Sequence, residues 1–369
     1  MKLALHLTHD CNLRCVYCYV GSKDSRRMDR ETAEQAVRFG HENSSGHLDI
    51  SFFGGEPFLE QDLMFHVIEY AHSWRSKEGI TMPLRFFATT NGLLLNEDTI
   101  RRSVDAGIVL SLSLDGHGAC HDATRPLPDG TGSFARIAEN FPALLQICPN
   151  IQVLATFSSR NIKFLSEGIE KLYYCGFRHF SVGLNYEETW SDDAVATMRN
   201  EYKALGNFYE ERYKSGNPAS ITIFDSRIAS HVNKSCERCA CCDKHDGEIA
   251  VAPSGNIYPC LRLVKTDEDH SVLLGNVKTG MDRKLRAKIM VESAREWHEC
   301  KECGYRGRCF HYCGAVNYKV NGRWNQPPHI LCLEEQCSIS VADEIAERLY
   351  KEKNPLFMRR FFPGEWLLR

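Results

Sequence analysis

The chain has 369 residues, with 45 lysines and arginines against 48 aspartates and glutamates, so its formal net charge is −3. This length suits one large domain and a smaller second one. The basic residues are scattered without a long run, which argues against nucleic acid and anionic membranes as partners. The apolar stretch at the amino terminus is too short for a signal sequence, and no later stretch is long enough for a membrane span. We therefore expect a cytoplasmic protein.

Short β-rich runs alternate with longer helical stretches up to about Tyr213, which is typical of a parallel sheet covered by helices. Several runs are apolar throughout, as in strands buried on both faces. The predicted strands are residues 3–8, 48–53, 84–89, 108–114, 151–157 and 179–184. Helix starts are predicted at Asp29 and Asn96, and a long helix over residues 191–213. The pattern predicts an α/β fold, a partial TIM-like (β/α)6 barrel.

The pattern changes after residues 215–218, where cysteines become dense and the alternation stops. We predict a barrel domain over residues 1–220, a small cysteine-rich domain over residues 221–345 and a tail over residues 346–369. Helical periodicity returns from Ser340 to Lys351, and the aromatic and basic tail could pack back on the body or lie over a cleft.

The chain contains 17 cysteines, and in a reducing compartment they are better explained by metal binding than by disulfides. Cys11, Cys15 and Cys18 have the spacing C-x3-C-x2-C directly after the first predicted strand. Three thiolates can hold a 4Fe-4S cluster and leave one of its four irons open. A zinc site is the alternative for a cysteine triplet alone.

This triplet, with Tyr17 just before its third cysteine, resembles the radical S-adenosylmethionine (SAM) superfamily, and the resemblance covers essentially the whole chain. It implies that the open iron binds SAM and that electron transfer into SAM yields methionine and a 5′-deoxyadenosyl radical. The resemblance also implies a set of SAM contacts at the carboxyl ends of the predicted strands. They are Tyr17 after the first strand, Gly54, Gly55, Glu56 and Pro57 for the methionyl amino group, Asn91 after the third strand, Ser113 for the ribose, Arg125 for the methionyl carboxylate and Leu184 for the adenine.

A second set of cysteines resembles the SPASM domain, the carboxyl-terminal extension of radical SAM enzymes that act on peptides and proteins. Its spacings are C-x12-G-x4-C from Cys242 to Cys260 and C-x2-C-x5-C-x3-C from Cys300 to Cys313. The resemblance implies two auxiliary 4Fe-4S clusters with interleaved ligands. Cluster I would take Cys236, Cys242, Cys260 and Cys313, and cluster II would take Cys300, Cys303, Cys309 and Cys332.

Several assignments of these cysteines to cluster ligands stay open. Cys239 or Cys241 could replace Cys236, and Cys337 is a fallback ligand or a free thiol. The same eight thiolates could also form a tandem zinc ribbon, although that alternative ignores the amino-terminal half.

The resemblance implies an enzyme that uses SAM to oxidise a ribosomally made peptide or a protein, for example by a thioether or carbon–carbon cross-link or by decarboxylation. Auxiliary clusters would accept the electron, and a flavodoxin- or ferredoxin-type reductase would supply the first one. No catalytic base is predicted. Because the triplet begins at Cys11, we expect no winged-helix leader-binding domain before it.

Other functions remain as alternatives. An anaerobic sulfatase maturase, which forms formylglycine, is expected to have an aspartate base after the cysteine that ends the G-x4-C element. Here Leu261 follows Cys260, so another residue would have to serve as the base. An electron carrier would not need the SAM contacts. A zinc-built nucleic-acid module would need a basic face, which the net charge of −3 does not supply.

Overall fold

The computed structural model describes residues 1–21, 23–233, 247–310 and 313–363. In this part of the chain, eleven strands form one sheet in the order β11-β10-β9-β8-β1-β2-β3-β4-β5-β6-β7. The strands are β1 (Lys2–Thr8), β2 (Leu48–Gly54), β3 (Leu84–Thr90), β4 (Ile108–Ser113), β5 (Gln152–Phe157), β6 (His179–Leu184), β7 (Ser220–Ile221), β8 (Glu248–Val251), β9 (Asn256–Tyr258), β10 (Gly275–Asn276) and β11 (Gly280–Met281).

Strands β1 to β6 pair in parallel and in chain order, which confirms the predicted α/β partial barrel. The six predicted strands agree with the observed bounds to within one residue. Their outward faces form a continuous core with the helices, as shown by Leu3, Leu5 and Leu7, which are fully buried. Because parallel strands that pair in order all end at the same edge, the loops after β1 to β6 converge.

The sheet extends beyond the six strands at both edges. β7 pairs with β6, and β8 pairs in parallel with β1, whose other neighbour is β2. From β8, an antiparallel meander continues through β9, β10 and β11. Strands β8 to β11 of the cysteine-rich part therefore extend the sheet of the barrel. The domain limit after residue 220 stays a prediction.

Helices cover the sheet and begin where the sequence predicts. Asp29 accepts a hydrogen bond from the Thr32 amide, Asn96 from the Thr99 amide and Ser191 from the Ala194 amide, so each caps a helix. The helices are α1 (Arg30–Glu42), α2 (Gln61–Lys77), α3 (Glu97–Asp105), α4 (Ala119–Asp122), α5 (Phe134–Ala138), α6 (Phe141–Ile147), α7 (Leu165–Tyr174), α8 (Asp192–Lys214), α9 (Thr222–Asn233), α10 (Arg283–Ala294), α11 (Gly314–Asn321), α12 (His329–Lys351) and α13 (Pro355–Phe361).

Helix α12 is longer than the sequence predicts, because it starts at His329 rather than near Ser340. Its first turns carry Glu334 and Glu335, which are buried against α8 and α9 and so break the apolar periodicity. The predicted limit between residues 345 and 346 falls inside this helix. Helix α13 packs back on the body through Phe357 and Met358, both fully buried. Within the described residues, no helix combines the length and apolar character of a membrane span.

Candidate active site

One cavity of about 210 Å³ lies at the carboxyl ends of the barrel strands. It is lined by every residue of the barrel to which the sequence assigned a role. These are the cysteines Cys11, Cys15 and Cys18 and the predicted SAM contacts Tyr17, Gly54, Gly55, Glu56, Pro57, Asn91, Ser113, Arg125 and Leu184. The fold thus brings together, in one place, side chains from loops that span most of the barrel sequence.

The three cysteines present their thiols to this cavity in a polar setting. Cys11 is nearly buried, and its sulfur accepts from the Leu13 amide (3.5 Å) and from Asn91 Nδ2 (3.8 Å). The Lys23 ammonium donates to the sulfur of Cys18 at 2.8 Å. Burial raises the pKa of the Cys11 thiol to about 12 and also raises that of Cys15. A bound cation must therefore displace the proton of Cys11, as thiolate-bound metals do, and the donor set fits an iron-sulfur cluster.

Two glycines at the end of β2 allow close backbone contact with the loop that carries the cysteines. The Gly55 amide donates to the Thr8 carbonyl (2.8 Å), and the Glu56 amide donates to the Asp10 carbonyl (2.9 Å). Gly54 has φ of +122°, a conformation that side chains disfavour. A Cβ at Gly55 would lie 1.8 Å from the Asp10 carbonyl oxygen. Only glycine lets the β2 end approach the β1 loop this closely.

We expect Gly55→Ala to displace the cysteine loop and to reduce iron binding at the first cluster site. The added Cβ meets backbone rather than a flexible side chain, so the clash can be relieved only by moving the loop. The measurement is iron and acid-labile sulfide per chain after anaerobic reconstitution. Gly46→Ala is the matched control, because nothing lies within 4 Å of a Cβ there. Equal iron binding by both variants would contradict this role of Gly55.

Glu56 is a buried acid whose carboxylate is held by the chain itself. It accepts from the Thr90 hydroxyl (2.8 Å), the Asn91 amide (2.9 Å) and the Phe58 amide (3.2 Å). Burial raises its pKa to about 7 although these bonds favour the charged form. The carboxylate is therefore fixed in place beside the cysteines and takes a full charge readily when a cation approaches.

Arg125 lines the cavity, but its guanidinium is already paired with Asp115, a residue without a predicted role. The Arg125 Nη2 and Nε atoms lie 3.0 Å from the two oxygens of Asp115. Asp115 is fully buried and also accepts from the Tyr17 hydroxyl, the Thr124 hydroxyl (2.7 Å) and the Thr156 amide (2.9 Å). Asp115 directly follows Leu114 at the end of an apolar strand, and this position in the sequence could have identified it as a site residue.

A second, smaller cavity collects four other cysteines. Cys300, Cys303, Cys309 and Cys332 line it together with Glu335. These are the four cysteines that the SPASM resemblance groups as cluster II. Cys337 lies on another side of α12, within electrostatic range of Arg199 and Lys203 on α8, and is absent from the cavity wall. Cys332, and not Cys337, therefore lies with the other three cysteines.

The remaining cysteine set is only partly placed. The Cys260 thiol donates to Glu248 at 3.7 Å, and Cys313 lies within electrostatic range of the same carboxylate. Cys236, Cys242, Cys239 and Cys241 lie outside the described residues. Among those described, no three His, Cys, Asp or Glu side chains converge closely enough to bind a single metal ion.

Comparisons with known proteins agree with this geometry. The sequence model of the Radical SAM superfamily matches residues 5–157. An uncharacterized protein of Methanocaldococcus jannaschii is 28% identical over 182 residues, which are 49% of this chain and 62% of that protein. The cysteine-type anaerobic sulfatase-maturating enzyme of Clostridium perfringens is 22% identical over 326 residues, 81% of this chain and 84% of that one. The subtilosin biosynthesis protein AlbA of Bacillus subtilis is 21% identical over 325 residues, 84% of this chain and 67% of that one.

A solved structure shares the fold over nearly the whole chain. Native anSMEcpe with bound AdoMet, another abbreviation of SAM, and the Cp18Cys peptide has a TM-score of 0.79 at 20% identity, covering 96% of this chain and 100% of that one. The segment that matches the family model runs from β1 to the end of β5 and contains the cysteine triplet, the Gly54–Pro57 element and Arg125. Residues 5–157 of the chain therefore form a radical SAM domain.

Proposed function

We propose that this protein is a radical SAM enzyme that oxidatively modifies a ribosomally made peptide or a protein, with one SAM-binding 4Fe-4S cluster and two auxiliary ones. The observation that supports it most is the single cavity that collects Cys11, Cys15 and Cys18 with all nine predicted SAM contacts. The second cavity, which collects four further cysteines, supports an auxiliary cluster.

The residues of the first cavity divide into two groups. The three cysteines would hold a 4Fe-4S cluster with an open iron, which with SAM supplies the 5′-deoxyadenosyl radical that removes a hydrogen atom from the substrate. Glu56 would face the methionyl amino group, and Arg125, kept in place by Asp115, the methionyl carboxylate. Ser113 and Leu184, at the ends of β4 and β6, would contact the ribose and the adenine.

The substrate must lose one more electron and one proton if a new bond is to remain after hydrogen removal. Cys300, Cys303, Cys309 and Cys332 would hold an electron acceptor for this step, and a flavodoxin- or ferredoxin-type reductase would supply the electron that starts the reaction. A peptide or protein substrate is supported by relatives named for sulfatase maturation and for subtilosin biosynthesis, and by the peptide bound in the anSMEcpe structure.

We favour formation of a cross-link, such as a thioether or carbon–carbon bond, over formylglycine. The whole-length similarity to sulfatase-maturating enzymes makes formylglycine the second candidate. Against it stands Leu261, the apolar residue after Cys260, which cannot act as a base. The two carboxylates of the cavity wall offer no clear substitute, because Glu56 is held by three donors and Glu187 is paired with Lys319 at 2.8 Å.

The test is anaerobic reconstitution with iron and sulfide, followed by reduction with dithionite and assay of 5′-deoxyadenosine formed from SAM. We expect about a dozen irons per chain, as three four-iron clusters require, and 5′-deoxyadenosine that depends on dithionite. A fully loaded chain that forms none would contradict the proposal and favour an electron carrier.

A further inference from the structure

The wall of the first cavity includes residues that the SAM assignment does not use. Asn185, Tyr186 and Glu187 follow β6, and Arg262 and Val316 come from the cysteine-rich half. All proposed SAM contacts lie within residues 17–184, so this later group is left without a role in that assignment. It shares the cavity with the SAM site and is therefore placed where a substrate could contact it.

Within the part of the chain that the structure describes, one charged side chain of this cavity lacks the direct hydrogen-bond or ion-pair partner that the others have. Five charged side chains line it, and four have partners. Lys23 donates to Cys18, Glu56 accepts three hydrogen bonds, Arg125 pairs with Asp115, and Glu187 pairs with Lys319. The fifth, Arg262, forms neither a hydrogen bond nor a salt bridge with any residue in the described ranges.

Arg262 lies beside an aromatic ring and a second cation, and no carboxylate of the described residues contacts it directly. Its guanidinium lies 5.8 Å from the ring centre of Tyr19, and the Lys319 ammonium lies 5.7 Å from the same ring. The thiols of Cys260 and Cys313 are within electrostatic range, and so is the carboxylate of Glu187, which is itself paired with Lys319. An arginine has five N–H donors. A half-buried cation with spare donors is best satisfied by an anion that enters the cavity.

We propose that Arg262 binds a carboxylate of the peptide substrate, from an Asp or Glu side chain or from the peptide's own carboxyl terminus, close to the residue that is modified. This inference rests on the proposed function. A planar guanidinium binds a carboxylate through two parallel hydrogen bonds, which fixes orientation as well as charge. Arg262 would thereby select acidic substrates and set which C–H bond faces the SAM site.

The experiment is affinity selection of short random synthetic peptides on the cluster-loaded protein with SAM present. Half of the peptides carry a free carboxyl terminus and half an amide. We expect the wild type to enrich Asp and Glu, or the free-acid half, at least about tenfold over Arg262→Gln, the change expected when a two-point charged hydrogen bond is lost. Arg262→Glu should instead enrich Lys and Arg, and Arg262→Lys should keep part of the acidic preference.

The controls separate this inference from the function on which it rests. Iron content and the SAM dissociation constant are measured for each variant, so that loss of a cluster is not mistaken for loss of peptide binding. No acidic preference in the wild type, or an unchanged preference in Arg262→Gln, would overturn the role of Arg262. Weaker SAM binding by Arg262→Gln with unchanged peptide selection would assign the residue to SAM instead. Absence of 5′-deoxyadenosine from the wild type would overturn the proposed function itself.

Discussion

Cys15→Ala is expected to abolish 5′-deoxyadenosine formation, whereas Cys303→Ala should keep part of it but form no modified peptide. Cys15 lines the cavity that collects the SAM contacts, and Cys303 lines the separate cavity of Cys300, Cys309 and Cys332. Among the described residues, none lines both cavities. Loss of a ligand in the first should prevent SAM cleavage, and loss of one in the second should remove only the electron acceptor.

The measurement is 5′-deoxyadenosine and modified peptide from the same reaction, with peptides selected on the wild-type protein as substrates. Cys175→Ala is the matched control, since Cys175 is exposed and lines neither cavity. Iron analysis should show fewer irons in both cluster variants and the full content in the control. Full product formation by Cys303→Ala would remove the role given to the second cavity, and 5′-deoxyadenosine from Cys15→Ala would remove the role given to the first.

Much of the barrel follows from the sequence because each part of it carries a local signal. Apolar runs bounded by turn residues predicted six strands to within one residue, and the side chains at their carboxyl ends had to meet because parallel strands end at one edge. The convergence of Cys11, Glu56 and Arg125 on one cavity is a consequence of that topology. The extension of the same sheet by β8 could not be predicted, since strand pairing at an edge depends on tertiary contacts between distant segments.

The residues that escaped prediction are polar groups whose partners are far away in sequence. Glu334 is buried between the hydroxyls of Tyr186 and Tyr202, more than a hundred residues earlier. Glu335 faces the cysteine cavity and is paired with Arg227. Both carboxylates interrupt the apolar stripe of α12, so the start of that helix was not recognised. Arg262 is similar, because its place two residues after Cys260 does not by itself show that its own side chain lines the barrel cavity.

Apart from the cysteines, Asp115 should be the barrel residue whose substitution reduces stability and SAM binding most. Its carboxylate takes donors from Tyr17, Thr124, Arg125 and Thr156 and is fully buried. Although burial opposes ionisation, the charge of Arg125 holds the pKa of Asp115 below its usual value. An acid with a lowered pKa in the folded state adds stability above its unfolded-state pKa and loses it as the pH falls through the folded one. The pair is therefore charged at neutral pH.

We expect Asp115→Asn to destabilise the protein by roughly 3–5 kcal/mol, because it leaves the buried Arg125 guanidinium without its counter-charge. It should also weaken SAM binding, since Tyr17 and Arg125 lose the group that orients them. The double variant Asp115→Asn, Arg125→Met removes both charges and should unfold at a higher temperature than the single variant while still binding SAM poorly. Thermal unfolding and SAM binding, at equal iron content, separate the two effects. If the double variant were as unstable as the sum of the two single changes, Asp115 would act through packing alone. Unchanged SAM binding by Asp115→Asn would show that Arg125 does not need Asp115 to face the SAM carboxylate.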